Sequence, residues 1–286
     1  MQQNNNKQTF SFEIFPPKLT SDFGVVTKAI ESMSQLNPDY ISVTYGAGGS
    51  IQDNRTVELC KIIKKVSNVP PVAHITCVGA RRQDLVDILN NLQSNGVNKI
   101  LALRGDKNSN VQCEGDFIYA SQMIEFIREN FGDYFDISAA CYPTGHCESV
   151  NQKEDIFNLK KKVDSGAKHL ITQLFFDNNE FYHFRELCDM ADINVPIHAG
   201  IMPLTNQRQI QRMIALSGAT LPSRLSKLIA KYGDNDKAMF DVGIAFAVEQ
   251  ICELLSNGVA GVHLYTMNNA LVAQRITQSI QGLLSC

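Results

Sequence analysis

Several short apolar runs in this chain end in polar groups that could do chemistry. Glu13 stands inside Phe12-Glu13-Ile14-Phe15-Pro16-Pro17. Other runs end at Thr44-Tyr45-Gly46, at His74 and Thr76, at Arg104-Gly105-Asp106, at Tyr142 with His146 nearby, at Gln173, and at Tyr265-Thr266. A lone acid within an apolar strand costs several kcal/mol unless it is paired or protonated. Glu13 therefore has either a partner or a raised pKa. As a neutral acid in a dry setting it is a general acid ready to donate a proton. Bonded to a neighbouring Arg or Thr it is a structural residue. Its position leaves both readings open.

Other constellations carry weaker signals. Gly46-Ala47-Gly48-Gly49-Ser50 follows an apolar run, but the third glycine of a dinucleotide fingerprint would be residue 51, which is Ile. It reads as a βα loop whose backbone lets a flat ligand approach closely. Cys141, His146 and Cys147 match no zinc spacing. His146 beside Tyr142 reads as a polar lining for a planar ligand. Asp155, Asn158 and Lys162 have i, i+3, i+7 spacing and should share a helix face, with Lys161 beside them. A carboxylate for ribose hydroxyls next to cations for a diphosphate suits a nucleotide tail; a solvated helix face has the same spacing.

The elements that must position these groups alternate. Strands are expected at Phe10–Ile14, Tyr40–Thr44, Val72–Thr76, Lys99–Leu103, Asp136–Cys141, His169–Thr172, Pro196–Ala199 and Gly261–Leu264. Between them lie helical periodicities such as Leu85, Ile88, Leu89 and Leu92, or Ile244, Val248, Ile251 and Leu255. Apolar runs of this kind suit parallel strands buried on both faces. Eight β-then-α units closing on themselves give an α/β fold, a single-domain (β/α)8 TIM barrel over residues 10–286. A doubly wound open sheet is the alternative. Met202 to Asn257 should hold more than one helix, an insertion in one βα unit. Residues 1–9, rich in Gln and Asn, read as a disordered tail with no apolar signal-peptide core. In a barrel, active-site groups lie at the C-terminal ends of the strands.

Composition narrows the class. The 286 residues carry 26 Lys and Arg against 29 Asp and Glu, a net charge of −3. That excludes a strongly basic nucleic-acid binder and a polybasic membrane-surface protein. At 44% hydrophobic and 19% charged residues the chain can bury a core. The strongest apolar stretch between charges, Val242 to Val248, is far short of the roughly 20 residues of a spanning helix. The eight cysteines form no Cys-x-x-Cys pair and read as free thiols of a cytoplasmic protein.

Seven segments, in order, resemble methylenetetrahydrofolate reductase: Phe12-Glu13-Ile14-Phe15-Pro16-Pro17-Lys18, Ser42-Val43-Thr44-Tyr45-Gly46-Ala47, Ala73-His74-Ile75-Thr76-Cys77, Leu103-Arg104-Gly105-Asp106, Ile171-Thr172-Gln173-Leu174-Phe175-Phe176-Asp177, Gly200-Ile201-Met202-Pro203 and His263-Leu264-Tyr265-Thr266-Met267-Asn268. The length resembles the short bacterial form. The resemblance implies an FAD-containing barrel in which NADH or NADPH reduces the flavin and leaves. Methylenetetrahydrofolate then takes the same place and is reduced to 5-methyltetrahydrofolate. It implies catalytic roles for Glu13, as general acid at the folate bridge nitrogen, and for Asp106, whose charge stabilises a 5-iminium cation. It implies flavin contacts from Thr44, Tyr45, His74, Arg104, Gly105, Asp106, Tyr119, Ala120, Tyr142, His146, Asp155, Asn158, Lys161 and Lys162. Gln173 and Gln209 match substrate contacts. Asn269 stands where the family commonly has a folate-contacting Arg, Thr144 where it usually has Glu, and Cys147 where it usually has Pro. The resemblance also implies a homo-oligomer. A subunit that holds flavin or folate for a partner, and a pterin-dependent methyltransferase barrel, are the competing readings.

Overall fold

The computed structural model describes residues 7–17, 22–45, 54–105, 115–207, 210, 213–214 and 219–285. Eight strands form a closed, all-parallel barrel in chain order: β1 Thr9–Ile14, β2 Tyr40–Val43, β3 Pro71–Thr76, β4 Lys99–Leu103, β5 Asp136–Cys141, β6 His169–Thr172, β7 Ile197–Ile201 and β8 Gly261–Tyr265. The ring closes where β1 pairs with β8, Thr9 opposite Gly261 and Glu13 opposite Tyr265. The open-sheet alternative is thereby excluded.

Among the described residues the helices around the barrel are α1 Gly24–Ser34, α2 Arg55–Val66, α3 Arg82–Ser94, α4 Ala120–Phe131, α5 Gln152–Asp164, α6 Asn178–Met190, α7 Ser223–Tyr232, α8 Asp236–Ser256 and α9 Ala270–Ile280. Most turn an apolar stripe inward, as Leu85, Leu89 and Leu92 do on α3. Asn151, Asp177, Asn235 and Asn269 cap the N-termini of α5, α6, α8 and α9 with side-chain oxygens that accept backbone N–H bonds. The insertion between β7 and β8 contains α7 and α8. Leu204, Leu225 and Met239 there join Leu174, Phe176 and Met202 in a second apolar cluster. No helix among the described residues is long and apolar enough to cross a membrane.

The strands are less uniformly apolar than expected. Their outward residues, such as Phe10, Phe12 and Ile14 on β1 and Ile41 and Val43 on β2, pack into the main core under the helices. The inner face carries one small apolar cluster of Val72, Leu101 and Ile171 with Tyr40 and Leu103. Otherwise it is polar: Ser11, Ser42, His74, His198 and His263 are buried there. TIM-barrel interiors are normally filled by Val, Ile and Leu.

Strand ends shift slightly from the sequence reading. β2 stops at Val43, and β7 runs on to Ile201. β1 starts at Thr9, inside the expected tail. Gln8 donates to the carbonyls of Leu255 and Val259, and Lys7 pairs with Asp39, so the barrel already holds these residues. Residues 1–6 lie outside the described residues.

Candidate active site

Glu13 sits one residue from the end of β1 with its side chain turned into the barrel mouth, 19% exposed. Its Oε2 lies 3.6 Å from Nε2 of His74 on β3 and 3.6 Å from Nε2 of His263 on β8. Burial pushes the Glu13 carboxyl up, and His74 pulls it down by less. Burial also holds His74 down at about 4 and His263 at about 3, so both imidazoles are neutral near pH 7. Among the described residues, no Arg or Lys lies within ion-pair distance of this carboxyl. Thr266 does bond to Glu13, but its hydroxyl donates to the backbone carbonyl at 2.6 Å and leaves the carboxyl free. Among the described residues, neither an Arg nor a Thr side chain holds this carboxyl, and burial favours its protonated form.

Tyr265 lies across the mouth beside Glu13. Its hydroxyl donates to the Thr172 carbonyl at 2.5 Å. Gly200 makes this possible, because a Cβ there would stand 2.5 Å from the Tyr265 oxygen and 2.3 Å from that carbonyl. Asn268 fastens the rim, accepting from Phe15 N at 2.9 Å and donating to Phe15 O at 2.9 Å. Gln173 follows β6, half-buried, with its Oε1 accepting from Leu174 N.

The next sector is built on β2 to β5. Thr44 N donates to Ile14 O, which ties the end of β2 to β1. Tyr45 and His74 line one small cavity. Nε2 of His74 is buried without a hydrogen-bond partner. Arg104 leaves β4 and forms a two-point ion pair with Glu148, at 2.8 and 2.6 Å. Gly105 follows at φ 83°. The Tyr142 and His146 rings meet edge to face, 4.7 Å apart. The Lys162 ammonium donates to Ala140 O and lies 5.7 Å from the Tyr142 ring centroid. Its pKa is lowered, chiefly by burial.

The face expected on α5 keeps Asp155 and Lys162 within electrostatic reach of each other. Lys162 turns in toward β5, while Asp155 accepts from Ser149 in the preceding loop at 3.0 Å. Asn158 bonds Lys161, whose ammonium stands 4.4 Å over the exposed Phe157 ring. Lys161 and Lys162 are neighbours set about 100° apart around the helix, so the two lysines serve different surroundings. Tyr119 and Ala120 begin α4 farther round, where Tyr119 N donates to Gln122. The Asn269 side-chain oxygen is occupied by Leu271 N and Val272 N, as the cap of α9. Its residue type is explained by that cap. Asp106, Gln209 and the loop 46–53 lie outside the described residues.

Sequence reasoning missed Glu148, the partner of Arg104, and His263, the second imidazole at Glu13. His263 was readable: it stands two residues before Tyr265 on one strand, so the two share the inner face.

The methylenetetrahydrofolate reductase family matches residues 1–281. A protein of Escherichia coli strain K12 named 5,10-methylenetetrahydrofolate reductase is 34% identical over 270 residues, covering 94% of this chain and 90% of that one. Methylenetetrahydrofolate reductase (NADH) 1 of Arabidopsis thaliana is 35% identical over 272 residues, 91% of this chain. The chain spans about half the length of the plant relatives it matches, 46% in that case. Among solved structures, a Clostridium thermocellum protein described as binding two copies of 5-methyl-5,6,7,8-tetrahydrofolic acid superimposes with a TM-score of 0.70 at 13% identity. It covers 99% of this chain and 96% of its own, and this likeness speaks for the fold. With the family matched over nearly the whole length and about 90% of the bacterial relative covered, the chain belongs to the methylenetetrahydrofolate reductase family.

Proposed function

We propose that the chain reduces 5,10-methylenetetrahydrofolate to 5-methyltetrahydrofolate with electrons from NADH or NADPH passed through a bound FAD. The observation that carries this reading is Glu13, a half-buried carboxyl between two neutral histidines in the barrel mouth. The plant relatives are named for NADH, which makes NADH the donor to test first.

The residues around the mouth fit a flavin. Tyr142 and His146 form an aromatic wall, with Lys162 beside it as a cation for a diphosphate and Arg104 held next to it by Glu148. The unpartnered Nε2 of His74 is a polar atom that a ligand in the mouth would satisfy. When bound, the flavin supplies hydride transfer between the nicotinamide and the folate. Glu13 supplies the proton that hydride transfer lacks. It donates to the folate bridge nitrogen, the five-membered ring opens to a 5-iminium cation, and the methylene carbon becomes electrophilic. Asp106, the residue that follows Gly105 in the sequence, supplies the negative charge that stabilises this cation in this reading. Tyr265 stands beside Glu13 at the mouth, and Gln173 follows β6.

Glu13→Gln tests the reading. Bleaching of the flavin by NADH needs no acid at the folate bridge and should persist. Reoxidation by methylenetetrahydrofolate should fall about 100-fold or more. Equal losses in both half-reactions would make Glu13 structural.

A further inference from the structure

The polar groups inside the barrel are arranged in a line. Ser11 on β1 has Tyr40 of β2 and His263 of β8 as its register partners, so the three stand at one level below Glu13. The Ser11 hydroxyl lies 2.7 Å from His263 Nδ1 and also interacts with the Tyr40 hydroxyl. The other ring nitrogen of His263 faces Glu13 at 3.6 Å and the Ser42 hydroxyl at 3.2 Å. Tyr40 stacks on His263 and turns its hydroxyl to His198 Nδ1, 3.1 Å away. His198 is 6% exposed and adjoins His169, whose side chain reaches solvent at the N-terminal end of the barrel beside Asp136.

Every joint from His198 to His263 is a group that both donates and accepts a proton. Each neutral imidazole can take a proton on one nitrogen and release one from the other. We infer that His198, Tyr40, Ser11 and His263 form a proton relay that reloads Glu13 from the N-terminal end of the barrel while ligands cover the mouth. This rests on the reading of Glu13 as the acid. After the Glu13 O–H bond breaks and the folate N–H bond forms, Glu13 is a carboxylate in a covered site. It takes the proton of His263 Nε2, directly or through Ser42. His263 Nδ1 takes the Ser11 proton, Ser11 takes that of Tyr40, Tyr40 takes that of His198 Nδ1, and His198 takes one on its other nitrogen from the side where His169 opens to solvent. One proton enters for each proton given to folate and no electron moves; rotation of the two hydroxyls and tautomer exchange of the two imidazoles then reset the chain for the next pass.

Tyr40→Phe keeps the ring stack and removes one joint. NADH-reduced holoenzyme is mixed rapidly with methylenetetrahydrofolate. The first turnover, with Glu13 already protonated, should run at the wild-type rate. Later turnovers should slow about 10-fold or more, giving a burst, a larger solvent isotope effect and partial rescue by added imidazole. Ser11→Ala should give the same burst. Unchanged steady-state turnover overturns the relay. So does a first turnover slowed as much as later ones, which would mean that these groups only position Glu13. A second arm needs no folate. ¹⁵N NMR of the holoenzyme should show His263 averaging between its two tautomers in wild type and fixed in one in Tyr40→Phe. A single fixed tautomer in wild type overturns the relay. Absence of folate reduction by wild type would overturn the proposed activity instead, and the NMR arm would still decide the relay.

Discussion

At the scale of the residue, Glu13 makes a prediction about stability as well as rate. Its ordinary pKa of 4.5 is raised in the fold by burial. The unfolded chain ionises this group from about pH 4.5 upward, and the folded chain does so only at higher pH. The stability it contributes is full below 4.5 and falls as pH rises through the folded value. Glu13→Gln removes that dependence. The melting temperature of the variant relative to wild type should therefore climb with pH, as scanning calorimetry at several pH values would show. A constant offset would mean that burial costs this carboxylate nothing. The acid was legible in the sequence because a charge in an apolar run demands an explanation. Its environment was not, because His74 and His263 are 189 residues apart in the chain (263 − 74) and meet only when the barrel closes.

At the scale of the element, Asn269 is the informative position. Its oxygen holds the first turn of α9 through Leu271 N and Val272 N. Asn269→Ala should cost about 1 kcal/mol of stability and Asn269→Asp should retain most of it. Asn269→Arg should lose the cap as Ala does, whatever it gains toward folate. Denaturant unfolding of the three variants gives the comparison; an unchanged Asn269→Ala midpoint would show that the cap contributes nothing. The alternation of strand and helix was readable because helix faces repeat every 3.6 residues and the strand cores are apolar. The strands looked apolar throughout because their helix-facing residues, such as Phe12, Ile41 and Ile100, dominate the local average. The intervening inner positions, Ser11, Ser42 and His263, vanish in such an average and appear only when alternate residues are followed separately.

At the scale of the whole molecule, the buried histidines set the response to acid. Burial lowers His74 to about 4, His198 to about 3 and His263 to about 3, against an ordinary value of 6.5. The fold keeps them neutral, so the stability they contribute is full above pH 6.5. It is lost as pH falls toward 3 to 4, because the unfolded chain binds the protons first. Each histidine should contribute a slope of about 1.4 kcal/mol per pH unit within that window. Replacing His263 by Gln should flatten the dependence between about pH 6 and pH 4 by one such slope. Urea unfolding at stepped pH measures it, and parallel curves for wild type and variant would count against a neutral buried His263.

The closure of the ring at β1 and β8 also sets a timetable for synthesis. Phe15 finds its two bonds to Asn268 across 253 residues of chain. At roughly 5–20 residues per second, a ribosome needs about 10–50 s to make that intervening length. Throughout that interval one edge of the first strand has no neighbour, and an unpaired edge is a template for adhesion to other chains. The nascent barrel therefore spends most of its synthesis as an open, sticky sheet. Ribosome-bound chains stalled before Gly261 should be cut readily by protease, whereas chains released beyond Ile280 should resist.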